Sequence, residues 1–366
     1  MTFLGVGEWL ARRAELTPAK IGLVDGEMGA RYTWRTLDLR ARALATTLHG
    51  RHGVSQGDRV AILALNAPEY LDALYACGLL GAILVPLNWR LTPNELTMLL
   101  GDSAPRVVLC DERYAETARM VAARQPSAMA TLPFADFPGA DEALAARAVP
   151  FTTADGEEPL LLLYTSGTTG VAKGALLSHR MLTWNAVNTQ ISWGLRDDDI
   201  TPTFAPLFHA GGLNVLTTPL YHLGGTVVLQ RDTSPAETLR VIAAERCTVA
   251  FAVPNIEAGK VVALGTSAAR PTTLVANVQP IAVAVPGYDW QAWQGIVAPA
   301  GTPKEIVARL SAELQKIQAT PEFRAQLTKF GMEPFPPTTP EQFAAMIASE
   351  QPVWAKAIKE SGAKVD

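Results

Sequence analysis

The residues of this chain best suited to chemistry lie in one run, Tyr164-Thr165-Ser166-Gly167-Thr168-Thr169-Gly170-Val171-Ala172-Lys173-Gly174. Gly167, Gly170 and Gly174 let the backbone turn tightly and bring its N–H groups close to an anion. The hydroxyls of Thr165, Ser166, Thr168 and Thr169 can donate hydrogen bonds to phosphate oxygens. Lys173 adds a full positive charge, which strengthens such bonds. Types and order together describe a phosphate-holding loop. It is not of the G-x-x-x-x-G-K-[ST] kind, because Gly174 follows the lysine.

A loop of this sort needs a rigid base. Leu160–Tyr164 reads as an apolar strand that ends where the loop starts, at the carboxyl end of a sheet strand, where α/β proteins bind ligands. From about Tyr32 to Val253 short apolar runs alternate with amphipathic stretches. Val60–Leu65, Ala82–Val85, Arg106–Cys110, Thr226–Leu229 and Thr248–Val253 read as further strands. Pro68–Gly81 and Pro235–Arg246 read as helices, and Thr92 with Glu95 forms a capping box that opens another. Residues 115–154 are weakly patterned and suggest no motif. The alternation predicts an α/β fold with a mostly parallel sheet and helices on its faces.

The texture changes near Pro254. One short strand-like run, Val261–Leu264, precedes a proline-punctuated stretch up to Pro303, and three helices close the chain. Thr302-Pro303-Lys304-Glu305 reads as a capping box, with Ile306, Leu310, Leu314 and Ile317 as an apolar stripe. Thr320-Pro321 opens the second helix, which Gly331 can end. Thr339-Pro340-Glu341-Gln342 opens the third, with Phe343, Ile347 and Trp354 expected on its inner side. The domain reading is therefore 1–254 and 255–366.

Composition sets the outer bounds. Of 366 residues, 48% are hydrophobic and 18% charged, which suits a globular chain with ample core material and excludes a disordered one. A formal net charge of −4 lacks the basic footprint of a nucleic-acid binder. Cys77, Cys110 and Cys247 lie in apolar stretches without metal-ligand spacing, so they read as buried reduced thiols and no metal site is assigned. Met1–Pro18 lacks the order of a secretory signal, and Leu71–Leu87 reads as core helix plus strand instead of a membrane span. These features lead to the expectation of a cytoplasmic protein without a membrane span. They leave the oligomeric state open.

With these residues in hand, the sequence resembles the adenylate-forming superfamily of acyl-CoA synthetases and AMP-dependent ligases. The run 164–174 is similar to that family's phosphate loop almost letter for letter. Tyr32-Thr33-Trp34, Gly57-Asp58-Arg59-Val60, Asn66-Ala67-Pro68-Glu69, Val85-Pro86-Leu87-Asn88 and Leu177-Ser178-His179-Arg180 also resemble family segments. Pro206-Leu207-Phe208-His209-Ala210-Gly211-Gly212 is similar to its second core motif. The resemblance covers roughly residues 5–254. It implies ATP-dependent adenylation of a small carboxylic acid, then thioester formation with CoA, with Mg²⁺ as the metal cofactor. It assigns the departing phosphates to Thr165, Ser166, Gly167, Thr168, Thr169, Gly170 and Lys173. It assigns the catalytic position beside the acyl pocket and α-phosphate to His209. His179 reads as a local structural residue, and His49, His52 and His222 as surface or packing residues.

The family's later motifs do not follow Pro254. These are an aromatic-Gly-x-Thr-Glu segment for adenine and Mg²⁺, a Gly-Asp segment for ribose, and a C-terminal lysine motif. Glu360-Ser361-Gly362-Ala363-Lys364 has the wrong spacing for the last, so Lys364 reads as a solvated lysine. Residues from about 256 to 366 instead resemble the late portion of the solute-binding receptors of tripartite tricarboxylate transporters, a periplasmic-binding-protein-like fold. The resemblance rests on Ile256–Leu264, Pro286-Gly287-Tyr288-Asp289-Trp290 and Gly295–Pro303. No ligand-binding residue is carried over, because the acidic residue usual there is missing from Ile281–Val285. The chain thus reads as an incomplete adenylate-forming domain joined to a mainly helical receptor-like fragment. Three functions follow: a ligase with impaired or absent turnover, a carboxylate-binding protein, or a non-catalytic fusion product. An unfinished sheet is also expected to leave an apolar edge and face exposed and to lower stability.

Overall fold

The alternating pattern up to residue 251 resolves into two sheets. The computed structural model describes residues 4–126, 129–148, 156–165, 173–231, 234–251, 272, 279–283, 295–299, 301–329, 333 and 338–361. In chain order the strands are β1 (Ile21–Asp25), β2 (Arg31–Thr33), β3 (Arg59–Leu63), β4 (Ile83–Pro86), β5 (Val107–Cys110), β6 (Ala130–Pro133), β7 (Pro159–Thr165), β8 (Lys173–Ser178), β9 (Ile200–Thr203) and β10 (Thr226–Leu229). Up to residue 251 the helices are α1 (Trp9–Leu16), α2 (Trp34–His52), α3 (Pro68–Leu80), α4 (Pro93–Ser103), α5 (Ala115–Ala123), α6 (Glu142–Ala145), α7 (His179–Trp193), α8 (Ala210–Gly212), α9 (Thr218–Leu223) and α10 (Pro235–Ala244).

One sheet has four strands in the order β2-β1-β10-β9, and the other has six in the order β6-β5-β3-β4-β7-β8. Neighbours run parallel except β1 with β2 and β7 with β8. The six-stranded sheet is covered on both faces, as parallel strands require. Successive side chains of β3 point to opposite sides. Val60 and Ile62 enter the cluster that holds Leu37 and Leu44 of α2 and Leu71 and Leu74 of α3. Ala61 and Leu63 enter the one that holds Leu96 and Leu100 of α4 and Val121 of α5. Fully burying a side chain of this size contributes about 1.5–3 kcal/mol.

Local signals set the helix ends. Thr92 and Glu95 form the expected reciprocal box at the start of α4, and a cap of this kind is worth about 1 kcal/mol. Pro68 occupies the first turn of α3, and Gly81 closes that helix at φ 64°, a conformation glycine adopts without strain.

Several expectations need correction. Thr248–Phe251 is not a strand: the Thr248 and Val249 N–H groups both turn to the single carbonyl of Ile200, so no ladder forms. The weakly patterned stretch 115–154 holds α5, β6 and α6, elements whose four to nine residues are too short for a periodic signal. β8 and β9 were also unread. On the two elements that follow the phosphate-loop run in sequence, the exposed large apolar residues are Leu176 on β8, an edge strand, and Met181, Trp184, Ile191 and Trp193 on α7.

The chain divides into two compact units, Met1–Phe251 and Ala252–Asp366. The second contains α11 (Lys304–Ala319), α12 (Pro321–Lys329) and α13 (Pro340–Ser361). Thr339 and Gln342 bond reciprocally at the start of α13, where the sequence opens the third helix. Thr302 does not cap α11; its hydroxyl donates to the Pro299 carbonyl, and the N-cap position falls to Pro303. Ile306, Leu310 and Ile317 of the stripe are each about half exposed, and Trp354, expected inside, is 46% exposed. Among the described residues after Phe251 only Pro280 is buried. Val261–Leu264, Gly331 and Lys364 lie outside the described residues. No helix among the described residues is long and apolar enough to cross a membrane.

Candidate active site

β7 and β8 form the base of the phosphate-loop run. They pair antiparallel from Pro159 with Ser178 to Thr165 with Lys173, so the loop they carry is a hairpin loop. β7 also lies parallel to β4, which anchors the hairpin in the six-stranded sheet. Thr165 and Lys173 are register partners at its open end. Ser166, Gly167, Thr168, Thr169 and Gly170 lie outside the described residues. The Lys173 side chain is exposed.

The packing explains why glycine follows the lysine. A Cβ on Gly174 would stand 2.6 Å from Leu162 Cδ1 and 3.4 Å from the Tyr164 ring. Tyr164, the register partner of Gly174, donates its hydroxyl to Asp102 of α4 and so ties the end of β7 to that helix. Burial and this carboxylate push the Tyr164 hydroxyl pKa above its ordinary value.

The chain leaves β8 at His179, which begins α7 with Ser178 as its N-cap. His179 is fully buried; its Nδ1 accepts the Val6 N–H at 3.0 Å, and its Nε2 has no hydrogen-bond partner. Burial lowers its pKa to about 4, slightly offset by Glu158. The reading of His179 as a local structural residue agrees with this geometry.

His209 stands elsewhere, six residues beyond the carboxyl end of β9 in the four-stranded sheet. It is exposed and is the N-cap of α8, its Nδ1 accepting the Gly211 N–H at 3.3 Å. With Nδ1 acting as acceptor, a neutral imidazole carries its proton on Nε2, which can then donate to an oxygen of a bound acid. Gly212 makes the tight turn possible, since a Cβ there would stand 2.3 Å from the Pro206 carbonyl oxygen. The helix then passes through a π turn, Leu213–Thr217, a distortion frequent at functional sites. Thr217 Oγ1 donates to the Gly212 carbonyl at 2.7 Å and meets Thr203 Oγ1 at 2.9 Å. Beside this turn Thr201, Thr203, Gly211, Gly212, Thr217 and Phe251 help line a small pocket of ≈ 10 Å³, room for about one water.

The phosphate-loop flanks and His209 thus belong to different sheets of one unit, and three contacts join them. Asn66, between β3 and α3, bonds to the backbone of the segment from β9 to His209 at Thr203, Ala205 and Leu207. Phe208, beside His209, meets Trp89 edge-on at 6.2 Å, and the Arg90 guanidinium lies 5.8 Å from the Phe208 ring centre. Asn185 of α7 donates to the Asn214 carbonyl in the π turn at 2.6 Å. The sequence reading assigned no role to these residues. Asn66 carried a usable signal, because a polar amide between a buried strand and a buried helix must find partners. Trp89 and Arg90 carried none beyond their place after Leu87-Asn88. No group of three His, Cys, Asp or Glu side chains that could hold a metal occurs among the described residues.

The family model described as AMP-binding enzyme matches residues 10–354. The chain belongs to the AMP-binding enzyme family. Among its curated relatives it is 38% identical over 252 residues to a feruloyl-CoA synthase of Amycolatopsis sp, covering 69% of this chain and 49% of that one. It is 41% identical over 257 residues to an indoleacetate–CoA ligase of Aromatoleum aromaticum, covering 68% and 49%. The chain spans about half the length of the curated relatives it matches. Among solved structures, the inhibitor-bound N-terminal domain of FACL13 from Mycobacterium tuberculosis superposes with a TM-score of 0.61 at 26% identity, over 70% of this chain and 64% of that one. ATP-bound MatB from Rhodopseudomonas palustris gives 0.59 at 28% identity, over 69% and 50%. The first unit therefore has the α/β fold, with mixed sheets, of acyl-CoA synthetase N-terminal domains.

Proposed function

We propose that this chain carries the phosphate-loop and acid-binding half-sites of an acyl- or aryl-CoA ligase. In that reaction a carboxylate oxygen attacks the α-phosphate of ATP and pyrophosphate leaves; the thiol of CoA then attacks the acyl carbon and AMP leaves. The observation that supports the reading most is the register of β7 and β8, which sets Thr165 beside Lys173 at the two ends of the loop run. Lys173 and the loop hydroxyls would stabilise the charge that develops on the departing phosphates. His209 Nε2–H would orient the acid. The names of the relatives, a feruloyl-CoA synthase and an indoleacetate–CoA ligase, point to an aromatic carboxylic acid as substrate. ATP and CoA enter as co-substrates. No step is assigned to Mg²⁺ from the described residues.

We further infer that residues 255–366 hold the nucleotide less tightly than the family's own later segments would, because they carry neither its adenine nor its ribose motif. Each lost hydrogen bond to the nucleotide would cost about 1 kcal/mol or more, and several together cost orders of magnitude in affinity. The receptor-like reading of residues 256–366 stays a separate proposal, supported by the three helices of the second unit.

Acid-dependent ATP–pyrophosphate exchange tests the main reading, with ferulic, indoleacetic and fatty acids as the panel. Exchange that needs both an acid and Lys173 supports it, even at a low rate. A folded chain with no exchange, and no ATP-dependent change in its melting with any acid, overturns it.

A further inference from the structure

Asn66 is only 6% exposed and lies outside both the phosphate-loop run and the His209 motif in the sequence. It lies just beyond the carboxyl end of β3, in the turn that enters α3 at Pro68. Its Nδ2 donates to the carbonyls of Thr203 at 3.3 Å, Ala205 at 3.0 Å and Gln230 at 3.1 Å. Its Oδ1 accepts the Leu207 N–H at 2.9 Å. Thr203 ends β9 and Gln230 follows β10, so one side chain from the six-stranded sheet holds the carboxyl ends of two strands in the four-stranded sheet. Ala205 and Leu207 flank Pro206, whose carbonyl in turn accepts the His209 N–H at 3.0 Å. The path from Asn66 to the histidine is therefore short and hydrogen-bonded throughout.

The opposite direction is equally direct. β3 pairs with β4, and β4 with β7, the strand that delivers Thr165. A loop that leaves a strand is free to drift unless something outside its own sheet holds it. Both half-sites leave the carboxyl ends of strands, but of different sheets.

We infer that Asn66 is a positioning residue which sets the His209 loop in register with the sheet that bears the phosphate loop. The inference rests on the ligase reading for its consequence in catalysis, and on the hydrogen bonds alone for its consequence in structure. Asparagine suits the task because it presents donor and acceptor together. An aspartate can accept from Leu207 but sets a negative charge against three carbonyl oxygens. A protonated aspartate can accept from Leu207 and donate to one carbonyl.

The test is amide hydrogen exchange on the full chain for wild type, Asn66→Ala and Asn66→Asp, with each variant compared with wild type at the same pH. Exchange within 203–212 is expected to rise about tenfold to a hundredfold in both variants, while β3 and α3 stay at the wild-type level. In Asn66→Asp the excess is expected to shrink as pH falls and the carboxyl group takes up its proton. An unchanged 203–212 segment would overturn the inference. So would a rise spread evenly over β3 and α3, which is what a general packing role would give. Pyrophosphate exchange supplies the catalytic arm: KM for the acid should rise at least about tenfold, with KM for ATP unchanged. If wild type shows neither pyrophosphate exchange nor an ATP-dependent change in melting with any acid, the ligase reading fails, and the amide data still decide whether Asn66 holds the loop.

Discussion

Thr165 and Lys173 face each other as the last register pair of the β7–β8 hairpin. The lysine therefore enters the sheet at the base of the loop instead of opening a helix, as it does in a G-x-x-x-x-G-K-[ST] loop. Lys173 is an exposed residue. Lys173→Ala is expected to reduce acid-dependent pyrophosphate exchange at least about a hundredfold, in the range seen when one charge-stabilising donor is removed. Its unfolding free energy should stay within about 0.5 kcal/mol of wild type, because the substitution is at the surface. Exchange rates and urea melts on the same preparation check both parts.

Adjacent glycines in the His209 turn should respond differently. A Cβ on Gly212 would stand 2.3 Å from the Pro206 carbonyl oxygen and 2.5 Å from that of Ala205, and neither backbone atom can yield without moving the turn. A Cβ on Gly211 would stand 3.3 Å from the Phe251 ring, which can give by a few tenths of an ångström. Gly212→Ala is expected to cost about 1–3 kcal/mol, and Gly211→Ala less than about 1 kcal/mol. Equal melting temperatures for the two variants would contradict this account of the turn.

What the sequence made legible follows from how each signal arises. β3, α3, β4 and β5 are buried on both sides, so their apolar runs were continuous and their ends were marked by Pro68, Gly81 and Thr92. β8 is an edge strand whose first four residues are exposed, so Lys173-Gly174-Ala175-Leu176 reads as the tail of a loop. β9, Ile200–Thr203, contains Pro202 and two threonines and lacks an apolar run. Its burial comes from contacts with residues far away in sequence. The phosphate-loop residues were legible because their chemistry is carried by types and order. What joins them to His209 was not, since the partners of Asn66 are more than 130 positions away.

The opening motif Tyr32-Thr33-Trp34 also gains a physical reason. Arg40 lies 4.9 Å over the Tyr32 ring and bonds to Asp72 through Nε at 3.2 and 3.0 Å and through Nη2 at 2.5 Å. Its Nη2 also reaches Glu69 at 3.0 Å. Asp72 is buried, so Asp72→Ala would leave a guanidinium with its main partner gone, at a cost of about 3–5 kcal/mol. Glu69→Gln, at the more exposed end of the network, is expected to cost less than about 1 kcal/mol. Urea midpoints should separate the two by well over the error of the method. Similar midpoints would mean that Asp72 does not dominate the network.

His179 ties the start of α7 to Val6. Burial holds its pKa at about 4 in the fold, against about 6.5 in an unfolded chain, so the folded state favours the neutral ring. The sign follows directly. Above pH 6.5 both states are neutral and the full stabilisation is present; as pH falls from 6.5 towards 4 the unfolded state takes up a proton that the folded state refuses, and stability is lost. Between pH 7 and pH 5 the loss is about 2 kcal/mol from this residue. His179→Asn keeps a side-chain acceptor for Val6 and removes the titration, so it should be less stable than wild type at pH 7 but lose less on acidification. Carboxylates common to both proteins cancel in the comparison. Urea unfolding of the pair at pH 7 and pH 5 measures the difference directly. A gap between them that stays constant would mean that the ring at position 179 is not kept neutral by the fold.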